Sequence, residues 1–308
     1  MTDSEQIGFT AGPDEIGERL DKVLVARLGD RLTRSQIQAL IKDGQATVNG
    51  AAVKTGLKLK GGEQIALTIP PPPEDDSVEP EPIALDIVYE DDDLAVINKP
   101  AGLVVHPGAG NRSGTLVNAI LARYPQIAEM RYAPQRRGIV HRLDKDTSGL
   151  ILIAKRASAM RHLTNQFQQR TVDKVYLALV EKPPKTSIGR IDLPIARDPN
   201  QRTRMSVQRD GRPAVSEFTV LERFNSGPAL LEVKLLTGRT HQIRVHLAYI
   251  GSPIVGDAIY GYRKQRLRGQ FLHAARLCFD HPRSGERLCF EAPLPERLRT
   301  LLDELREA

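Results

Sequence analysis

The apolar residues of the first 70 positions recur at helical spacing in two short segments. "IGERLDKVLVARLG" predicts one helix, which ends at Gly29. "TRSQIQALIKDG" predicts a second helix, with Thr33 as the candidate N-cap and Gly44 just beyond its last turn. The next segment, "ATVNGAAV", contains an Asn-Gly pair, which favours a tight hairpin turn. Residues 16–70 therefore predict a small α+β domain.

Strand patterns dominate the chain from residue 83 onward. "IALDIVYEDDDLAVINKP" predicts two strands joined by a turn, and the later candidates are "LILIAK", "KVYLALV", "AVSEFTVLERF", "ALLEVKLL" and "RLCFEAPL". Two segments, "GTLVNAILARYP" and "SAMRHLTNQFQQR", predict helices between them. Because strands and helices do not alternate regularly, we expect an α+β domain over residues 83–308 with a mixed, largely antiparallel sheet.

A proline-rich acidic segment separates the two patterns. Within "IPPPPEDDSVEPEPI", four consecutive prolines favour an extended polyproline II conformation. The acidic residues that follow them repel one another and oppose collapse. Residues 71–82 are therefore predicted to be a semi-rigid linker between two domains.

The composition narrows the class of protein. Of the 308 residues 40% are apolar, and no segment approaches the roughly 18 consecutive apolar residues of a membrane helix. The polar, acidic N-terminal segment does not resemble a signal peptide. Two cysteines cannot build a disulfide framework or a four-thiolate metal site. We expect a cytoplasmic protein that is not associated with a membrane.

Charge is distributed unevenly along the chain. Residues 71–93 contain ten acidic residues and no basic one, whereas residues 94–308 contain 35 basic and 19 acidic residues. An excess of positive charge confined to one part of a chain is typical of proteins that bind a polyanion. The charge pattern therefore favours a nucleic acid partner, although a basic surface without a binding role would give the same count.

The segment "GIVHRLDKDTSGLILIAK" places several ionisable residues directly before a predicted buried strand. Asp144 is expected on a loop at the edge of the sheet, with Gly149 permitting a tight turn before the strand begins. A carboxylate at such a position is a candidate catalytic group. The simpler interpretation is that Asp144 or Asp146 caps a polar turn, which is the usual role of aspartate in such loops.

Two further segments carry candidate site residues. In "LLTGRTHQIRVHLAYIG" a Gly-Arg turn precedes a helix, and this turn could direct Arg239 into a cleft shared with Asp144. In "RTVDKVYLALV" the strand is apolar except at Tyr176. A buried tyrosine needs a hydrogen-bond partner for its hydroxyl or faces a ligand, although packing in the core is an equally simple reading.

Together these blocks resemble one enzyme family. "HRLDKDTSGL", "TGRTHQIRVHL", "LVVHPGAGN" and "FLHAARL", with the strand tyrosine between them, resemble the RluA-type pseudouridine synthases across residues 83–308. The N-terminal pattern, including "RLD", "RS" and "VNG" in this order, resembles the S4 RNA-binding domain. With that domain in front, the chain is most similar to the RluD-like branch of the family. The S4 resemblance implies that Arg34, Ser35 and Lys42 contact RNA phosphates.

The resemblance implies an activity, the isomerisation of uridine in RNA to pseudouridine, and a role for each candidate residue. Asp144 would be the essential carboxylate, attacking the ribose C1′ atom or removing a ribose proton. Arg239 is expected to be the counter-charge that keeps this carboxylate ionised. Tyr176 would lie against the target base and take part in proton transfer from C5. Arg142 would fill the space of the flipped-out nucleotide.

The same resemblance implies the partners. The substrate is expected to be large-subunit (23S) rRNA at the stem-loop called helix 69. No cofactor is expected, because the reaction is an isomerisation, and the sequence contains no glycine-rich phosphate-binding loop. No metal is expected either, since His241 and His246 lack the HExxH arrangement and are interpreted as helix and RNA-contact residues. We expect a monomer.

Three alternatives remain open at this level. Asp144 and Asp146 could bind Mg²⁺ in a nuclease, although the neighbouring basic residues would repel the metal ion. The chain could be a non-catalytic RNA-binding factor in ribosome assembly, in which case loss of the Asp144 carboxylate would leave its function intact. Within the synthase interpretation, the substrate could be another rRNA site or a tRNA, because RNA is recognised largely by shape.

Overall fold

The computed structural model describes residues 4–29, 31–70, 78–108, 110–130, 136–201, 204–262 and 267–308. The chain divides into two compact units, one of Met1–Glu79 with Pro125–Arg137 and one of Pro80–Tyr124 with Gly138–Ala308. Residues 71–77, most of the predicted linker, lie outside the described residues. In the part of the chain that is described, no helix is long and apolar enough to cross a bilayer.

The N-terminal unit contains a four-stranded antiparallel sheet and two helices around one apolar core. Its elements are β1 (Glu5–Thr10), α1 (Leu20–Leu28), α2 (Arg34–Lys42), β2 (Ala46–Val48), β3 (Ala51–Ala52) and β4 (Gln64–Ile69). The sheet order is β1-β4-β2-β3.

Two sequence signals in this unit act as the pattern predicts. Thr33 caps α2, since its hydroxyl accepts a hydrogen bond from the Gln36 amide while the Gln36 side chain bonds back to the Thr33 amide. Asn49 and Gly50, with φ of 51° and 80°, form the turn between β2 and β3. Helix α1 begins four residues later than the helical periodicity suggests.

The C-terminal unit is built on a nine-stranded sheet with the order β5-β6-β7-β14-β8-β13-β12-β9, and β15 pairs with β14. Its elements are β5 (Ile87–Glu90), β6 (Leu94–Lys99), α3 (Leu116–Arg123), β7 (Ser148–Ala154), α4 (Ala157–Gln169), β8 (Asp173–Val180), β9 (Ile188–Asp192), β10 (Ile195–Arg197), β11 (Met205–Val207), β12 (Val215–Arg223), β13 (Ala229–Leu235), α5 (Gln242–Tyr249), β14 (Leu272–Asp280), β15 (Arg287–Glu291) and α6 (Glu296–Glu307).

The pairing of these strands agrees with the predicted fold class. Among the described strands of the large sheet, only β7 and β14 pair in parallel, and the other neighbours are antiparallel. The fold is therefore α+β with a mixed, largely antiparallel sheet, as expected. The hairpin of β10 and β11 forms a separate two-stranded sheet. The sequence pattern did not predict β1, β9, β10, β11, β14 or α6.

A glycine allows the two parallel strands to meet beside the candidate site. Gly149 in β7 has a φ of 106°, and a Cβ atom at this position would lie 2.3 Å from the carbonyl oxygen of Ala274 in β14. Any side chain would therefore collide with the backbone of the neighbouring strand. In place of the predicted turn, Gly149 lies within β7 and permits a close approach of two strands directly after the loop of Asp144.

The two cysteines lie opposite each other on β14 and β15. Cys278 and Cys289 are paired in the antiparallel register and are joined by a disulfide bond. One cross-strand disulfide does not form a framework of several disulfides. It leaves no free cysteine among the described residues.

Candidate active site

Asp144 lies on the loop that leads into β7. Its backbone carbonyl accepts a hydrogen bond of 3.1 Å from the Thr147 amide, which makes the loop a turn. The side chain is 17% exposed, so the carboxylate is largely enclosed but accessible. The loop thus presents one carboxylate at the edge of a fully buried strand.

Arg244 in α5 is the residue that neutralises this carboxylate. Its Nη1 atom donates a hydrogen bond of 2.9 Å to Oδ2 of Asp144, across 100 residues of sequence. Its Nε and Nη2 atoms donate to the two carboxylate oxygens of Asp257, at 2.7 and 2.9 Å. The guanidinium therefore bridges two carboxylates in a fixed plane, a geometry that arginine alone provides.

The inner carboxylate, Asp257, is fully buried and has four donors. Besides the two bonds from Arg244, it accepts hydrogen bonds from the backbone amides of Ile259 and Tyr260. Burial alone would raise the pKa of Asp257, but these hydrogen bonds and the positive charge of Arg244 bring the pKa below its usual value. The carboxylate is therefore ionised, and it holds Arg244 in place for Asp144.

A histidine and a tyrosine complete this side of the site. His241 immediately precedes α5 and has a φ of 56°, an uncommon conformation for a residue other than glycine. Its Nε2 atom lies 3.9 Å from Oδ1 of Asp144, and its Nδ1 atom lies 2.9 Å from the hydroxyl of Tyr260. Burial lowers the pKa of His241, which makes the neutral ring the main form at neutral pH.

Beneath the loop lies a fully buried lysine. The Lys99 ammonium donates to three backbone carbonyls, those of Pro100, Leu103 and Lys145, at 2.8, 2.9 and 3.0 Å. Since Lys145 directly follows Asp144, the lysine anchors the loop from below. Burial lowers the pKa of Lys99 to about 8, while the negative charges of Asp146 and Asp144 act in the opposite direction.

Tyr176 lies in the middle of β8, where it is paired with Val233 on one side and Ala274 on the other. It is buried, with 6% of its surface exposed. Burial raises the pKa of its hydroxyl above the usual range, and the negative charge of Asp144 adds to the effect. The tyrosine is therefore a neutral phenol, and its pKa is raised further by the charge of the Asp144 carboxylate.

The structure corrects the assignment of Arg239 as the counter-charge. The Nε atom of Arg239 donates to the backbone carbonyl of Pro213. The arginine that bonds to Asp144 is Arg244. The reason is local: Arg239 belongs to the turn before α5, whereas Arg244 lies within the helix, on the side that faces the loop. The predicted cleft-facing arginine exists, but it is five positions further along the chain.

Other singled-out residues have structural or surface positions. His246 is fully buried, its ring bonded to the Ser216 hydroxyl and the Leu193 carbonyl, so it is not the RNA-contact residue that the sequence suggested. His141 accepts a hydrogen bond from the Leu152 amide, and burial lowers its pKa to about 3. Arg142, in contrast, is exposed.

In the N-terminal unit the predicted RNA-contact residues lie on α2. Arg34, Ser35 and Lys42 are all exposed. The Arg34 side chain is 59% exposed, although its Nη2 atom lies 3.4 Å from the buried carboxylate of Asp21. Burial alone would raise the pKa of Asp21, but hydrogen bonds from Arg19 and other side chains lower it to about 2. The carboxylate thus orients the start of the helix and leaves the Arg34 guanidinium open to a ligand.

The sequence analysis placed none of five side chains beside Asp144 that the structure groups around its loop: Lys99, His241, Arg244, Asp257 and Tyr260. Lys99 ends an apolar strand, and Asp257 lies in a loop rich in glycine. Only the structure shows that both are buried and paired. A signal existed for Arg244, since it lies within "THQIRVHL", the helix already singled out as part of the site.

The charges around Asp144 also bear on metal binding. One carboxylate oxygen is occupied by the Arg244 guanidinium, and the Lys99 ammonium lies below the same loop. Two positive groups so close to the carboxylate repel a divalent cation, which needs several free carboxylate oxygens. Because it is ion-paired, the Asp144 carboxylate is a poor ligand for a divalent cation.

Comparison with known proteins identifies the class of enzyme. A family model described as "RNA pseudouridylate synthase" matches residues 93–249, a range that contains Asp144, Tyr176 and Arg244. A second model, the S4 domain, matches residues 18–65. The chain belongs to the RNA pseudouridylate synthase family, and it is therefore an isomerase that acts on RNA.

Individual relatives match over almost the whole chain. A protein of Bacillus subtilis described as "Uncharacterized RNA pseudouridine synthase YlyB" is 48% identical, with 98% of this chain and 99% of the relative covered. "Ribosomal large subunit pseudouridine synthase D" of Escherichia coli is 42% identical, with 99% of this chain and 96% of the relative covered. Among solved structures, "Human RNA Pseudouridylate Synthase Domain Containing 1" matches with a TM-score of 0.55 and 28% identity. The match covers 75% of this chain and 97% of the chain in that structure.

Proposed function

We propose that the protein converts uridines of large-subunit rRNA to pseudouridine, with Asp144 as the essential carboxylate. Relatives named ribosomal large subunit pseudouridine synthase D, at 42% to 45% identity over nearly the full chain, support the choice of substrate. An S4 domain and the basic charge of residues 94–308 support binding to a large structured RNA.

The observation that carries the proposal is the unequal surroundings of the two Asp144 oxygens. Oδ2 accepts a hydrogen bond from Arg244, whereas Oδ1 accepts none from the residues that the structure describes and faces Nε2 of His241 at 3.9 Å. An ionised carboxylate that is oriented through one oxygen and open at the other is suited to react with the ribose of a bound uridine. Both routes considered above, attack at C1′ and removal of a ribose proton, can use the same oxygen.

The reaction balances without any added group. The N1–C1′ bond of uridine breaks, the base rotates, and a C5–C1′ bond forms; the proton lost from C5 is matched by one gained at N1. The Tyr176 hydroxyl is protonated in the unbound protein, because burial raises its pKa above the usual range. Its first role is therefore to contact the base as a neutral phenol, and it can accept the C5 proton only by passing on its own.

A uridine stacked in an RNA helix cannot reach a carboxylate enclosed in a protein loop. The nucleotide must be flipped out of the stack, which costs a few kcal/mol. The exposed side chain of Arg142, two residues before Asp144, is the proposed group that takes the vacated place. A planar guanidinium can stack on the neighbouring bases while it bonds to phosphate.

Within large-subunit rRNA, the proposed site is the stem-loop called helix 69. Other rRNA sites and tRNA are the alternative substrates. The catalytic residues around Asp144 concern the reaction and not the choice of RNA.

The decisive experiment is to map pseudouridines in the RNA of cells that lack the gene and are complemented with variants of the chain. Wild type should restore specific large-subunit sites, and Asp144→Asn should restore none. Asp146→Asn is the matched control, because it removes the same charge from the same loop. We expect Asp146→Asn to restore most of the modification.

Each result decides a different part of the proposal. Sites lost from tRNA instead of rRNA would contradict the substrate. Full restoration by Asp144→Asn would contradict the catalytic role of Asp144 and leave its carboxylate as a structural group of the loop.

A further inference from the structure

Tyr260 contacts both Arg244 and His241. The ring of Tyr260 contacts two guanidinium groups, with the Arg244 carbon 5.1 Å and the Arg204 carbon 5.2 Å from the ring centroid. Its hydroxyl lies 2.9 Å from Nδ1 of His241 and accepts a hydrogen bond of 2.8 Å from the Met205 amide. The residue lies outside the range matched by the family model, which ends at residue 249.

The hydrogen bonds of this tyrosine can be assigned by counting protons. The Met205 amide can only donate, so the Tyr260 oxygen accepts this bond and its own proton remains available. The nearest acceptor for that proton is Nδ1 of His241. A neutral imidazole that accepts at Nδ1 carries its single proton on Nε2.

We propose that Tyr260 is a positioning residue that fixes His241 in the Nε2-protonated form, so that an N–H donor faces Oδ1 of Asp144. The inference rests on the proposed function, in which this oxygen of Asp144 reacts. The separation of 3.9 Å is too long for a hydrogen bond, so Oδ1 stays open in the unbound protein. A movement of about 1 Å brings the donor into bonding distance and orients the carboxylate from its second side.

The backbone of His241 supports a positioned role. Its φ of 56° is rare for a residue with a side chain, and strained conformations persist where the surroundings hold them in place. Here the Tyr260 hydroxyl is one such contact, and the ring packs edge-on against the imidazole, with the centroids 5.7 Å apart. The strained residue therefore lies between the hydroxyl that orients it and the carboxylate that it faces.

The substitution Tyr260→Phe tests the hydroxyl alone. The ring stays in contact with the two guanidinium groups, and only the bonds to Nδ1 of His241 and to the Met205 amide are lost. Tyr262→Phe is the matched control, because Tyr262 is 44% exposed and belongs to none of these contacts.

The first measurement is the tautomer of His241 by ¹⁵N NMR of the intact, histidine-labelled protein. The protein has seven histidines, and the signal of His241 is assigned from its loss in His241→Asn. We expect the Nε2-protonated form in wild type and in Tyr262→Phe, and a mixture of both forms in Tyr260→Phe. A merely structural tyrosine would leave the tautomer unchanged.

The second measurement is the single-turnover rate of pseudouridine formation in an rRNA fragment. Tyr260→Phe should lower the rate about tenfold or more while the Kd for RNA changes less than about twofold. His241→Gln places an amide N–H near the position of Nε2, whereas His241→Asn places it near Nδ1. The Gln variant should therefore retain more activity, and adding Tyr260→Phe to it should cause little further loss, since both changes act through one N–H group.

Three outcomes would overturn the inference: an unchanged tautomer in Tyr260→Phe, a wild-type rate in that variant, or losses that multiply fully in the double variant. The NMR result does not depend on activity, so it separates this inference from the proposed function. If Asp144→Asn is inactive and Tyr260→Phe is normal, only the positioning role of Tyr260 is wrong. If Asp144→Asn is active, the proposed role of Asp144 is wrong. The NMR measurement still decides whether Tyr260 fixes the tautomer of His241.

Discussion

Arg244 is enclosed by the two carboxylates that it joins, and only 6% of its side chain is exposed. Burial alone would lower the pKa of Arg244, but its bonds to Asp257 and the charge of Asp144 raise it above its usual value. Removing one member of a buried ion pair leaves an uncompensated charge, which typically costs about 3–5 kcal/mol. The pair with Asp257 is therefore part of the fold as well as of the site.

The first prediction at the residue scale concerns the replacement of this arginine by lysine. Arg244→Lys keeps the positive charge, but a single ammonium cannot bond to both oxygens of Asp257 and also to Asp144. We expect the variant to fold, and its single-turnover rate of pseudouridine formation to fall by about 10²-fold, which corresponds to about 2.7 kcal/mol of barrier.

Arg239→Lys is the comparison for this experiment. Its guanidinium bonds to the Pro213 carbonyl, and a change there should affect the chemical step far less than Arg244→Lys does. A large loss in the Arg239 variant combined with a small loss in the Arg244 variant would restore Arg239 as the counter-charge. Circular dichroism of both variants checks that the loss of rate is not a loss of fold.

The sequence placed Asp144 on a loop before a buried strand and Tyr176 within a strand, as in the structure, but it paired Asp144 with Arg239 instead of Arg244. A motif shows which residue types are near each other in the chain, and "TGRTHQIRVHL" contains two arginines at positions that a turn or a helix could each direct inward. Which of them faces Asp144 depends on where α5 begins, and helix boundaries are not reliably read from sequence. Lys99 was not predicted because a lysine is rarely buried, and its three carbonyl partners come together only in the fold.

At the scale of secondary structure, the contact between β7 and β14 determines where the site lies. These two strands are parallel, and the register places Ala274 opposite Gly149. On its other side Ala274 is paired with Tyr176 of β8. The strand β14 therefore links the loop of Asp144 to the tyrosine, although its own sequence, "LHAARLCFD", has charged residues that obscured its strand pattern.

The prediction at this scale is that Gly149→Ala strongly destabilises the protein. A Cβ atom would lie 2.3 Å from the Ala274 oxygen, and the φ of 106° is unfavourable for alanine. Steric overlap with the backbone and the strained φ together should lower the free energy of unfolding by about 3 kcal/mol. Urea denaturation measures this loss as a lower midpoint.

Gly227→Ala separates the two contributions. Gly227 has a φ of 108°, almost the same as Gly149, but no atom lies within 4 Å of its hypothetical Cβ. This variant should show only the cost of the strained backbone, about 1 kcal/mol. Equal losses in both variants would mean that β14 moves away to accommodate the methyl group, and the close approach of the strands would then not be required.

At the scale of the whole molecule, the predicted domains enclose the ranges matched by the two family models. The S4 model covers residues 18–65, and the synthase model covers residues 93–249. The linker over residues 71–82 is predicted from its proline and acidic composition alone. The exact domain boundaries, the cytoplasmic location and the monomeric state are still predictions, because none of them follows from the contacts within each unit.

Net charge does not identify the surface that binds RNA, because many arginines are neutralised within the protein. Arg190 is paired with Glu217, and Arg306 is paired with Glu222 and Asp303. On α2, Arg34 makes a longer contact of 3.4 Å with Asp21 and its side chain is 59% exposed, so Arg34 and the exposed Lys42 are better candidates for phosphate contacts.

The salt dependence of RNA binding tests this at the scale of the whole molecule. Each phosphate contact adds about 0.7 to 0.9 to the slope of log K against log salt concentration, because a bound cation is released. If Arg34 and Lys42 each contact one phosphate, the double variant Arg34→Gln/Lys42→Gln should reduce the slope by about 1.5. The double variant Arg190→Gln/Arg306→Gln removes the same net charge from paired residues and should change the slope much less. Equal reductions in the two variants would mean that the field of the whole molecule, and not contacts of α2, drives binding. An unchanged slope in both would place the phosphate contacts elsewhere on the chain.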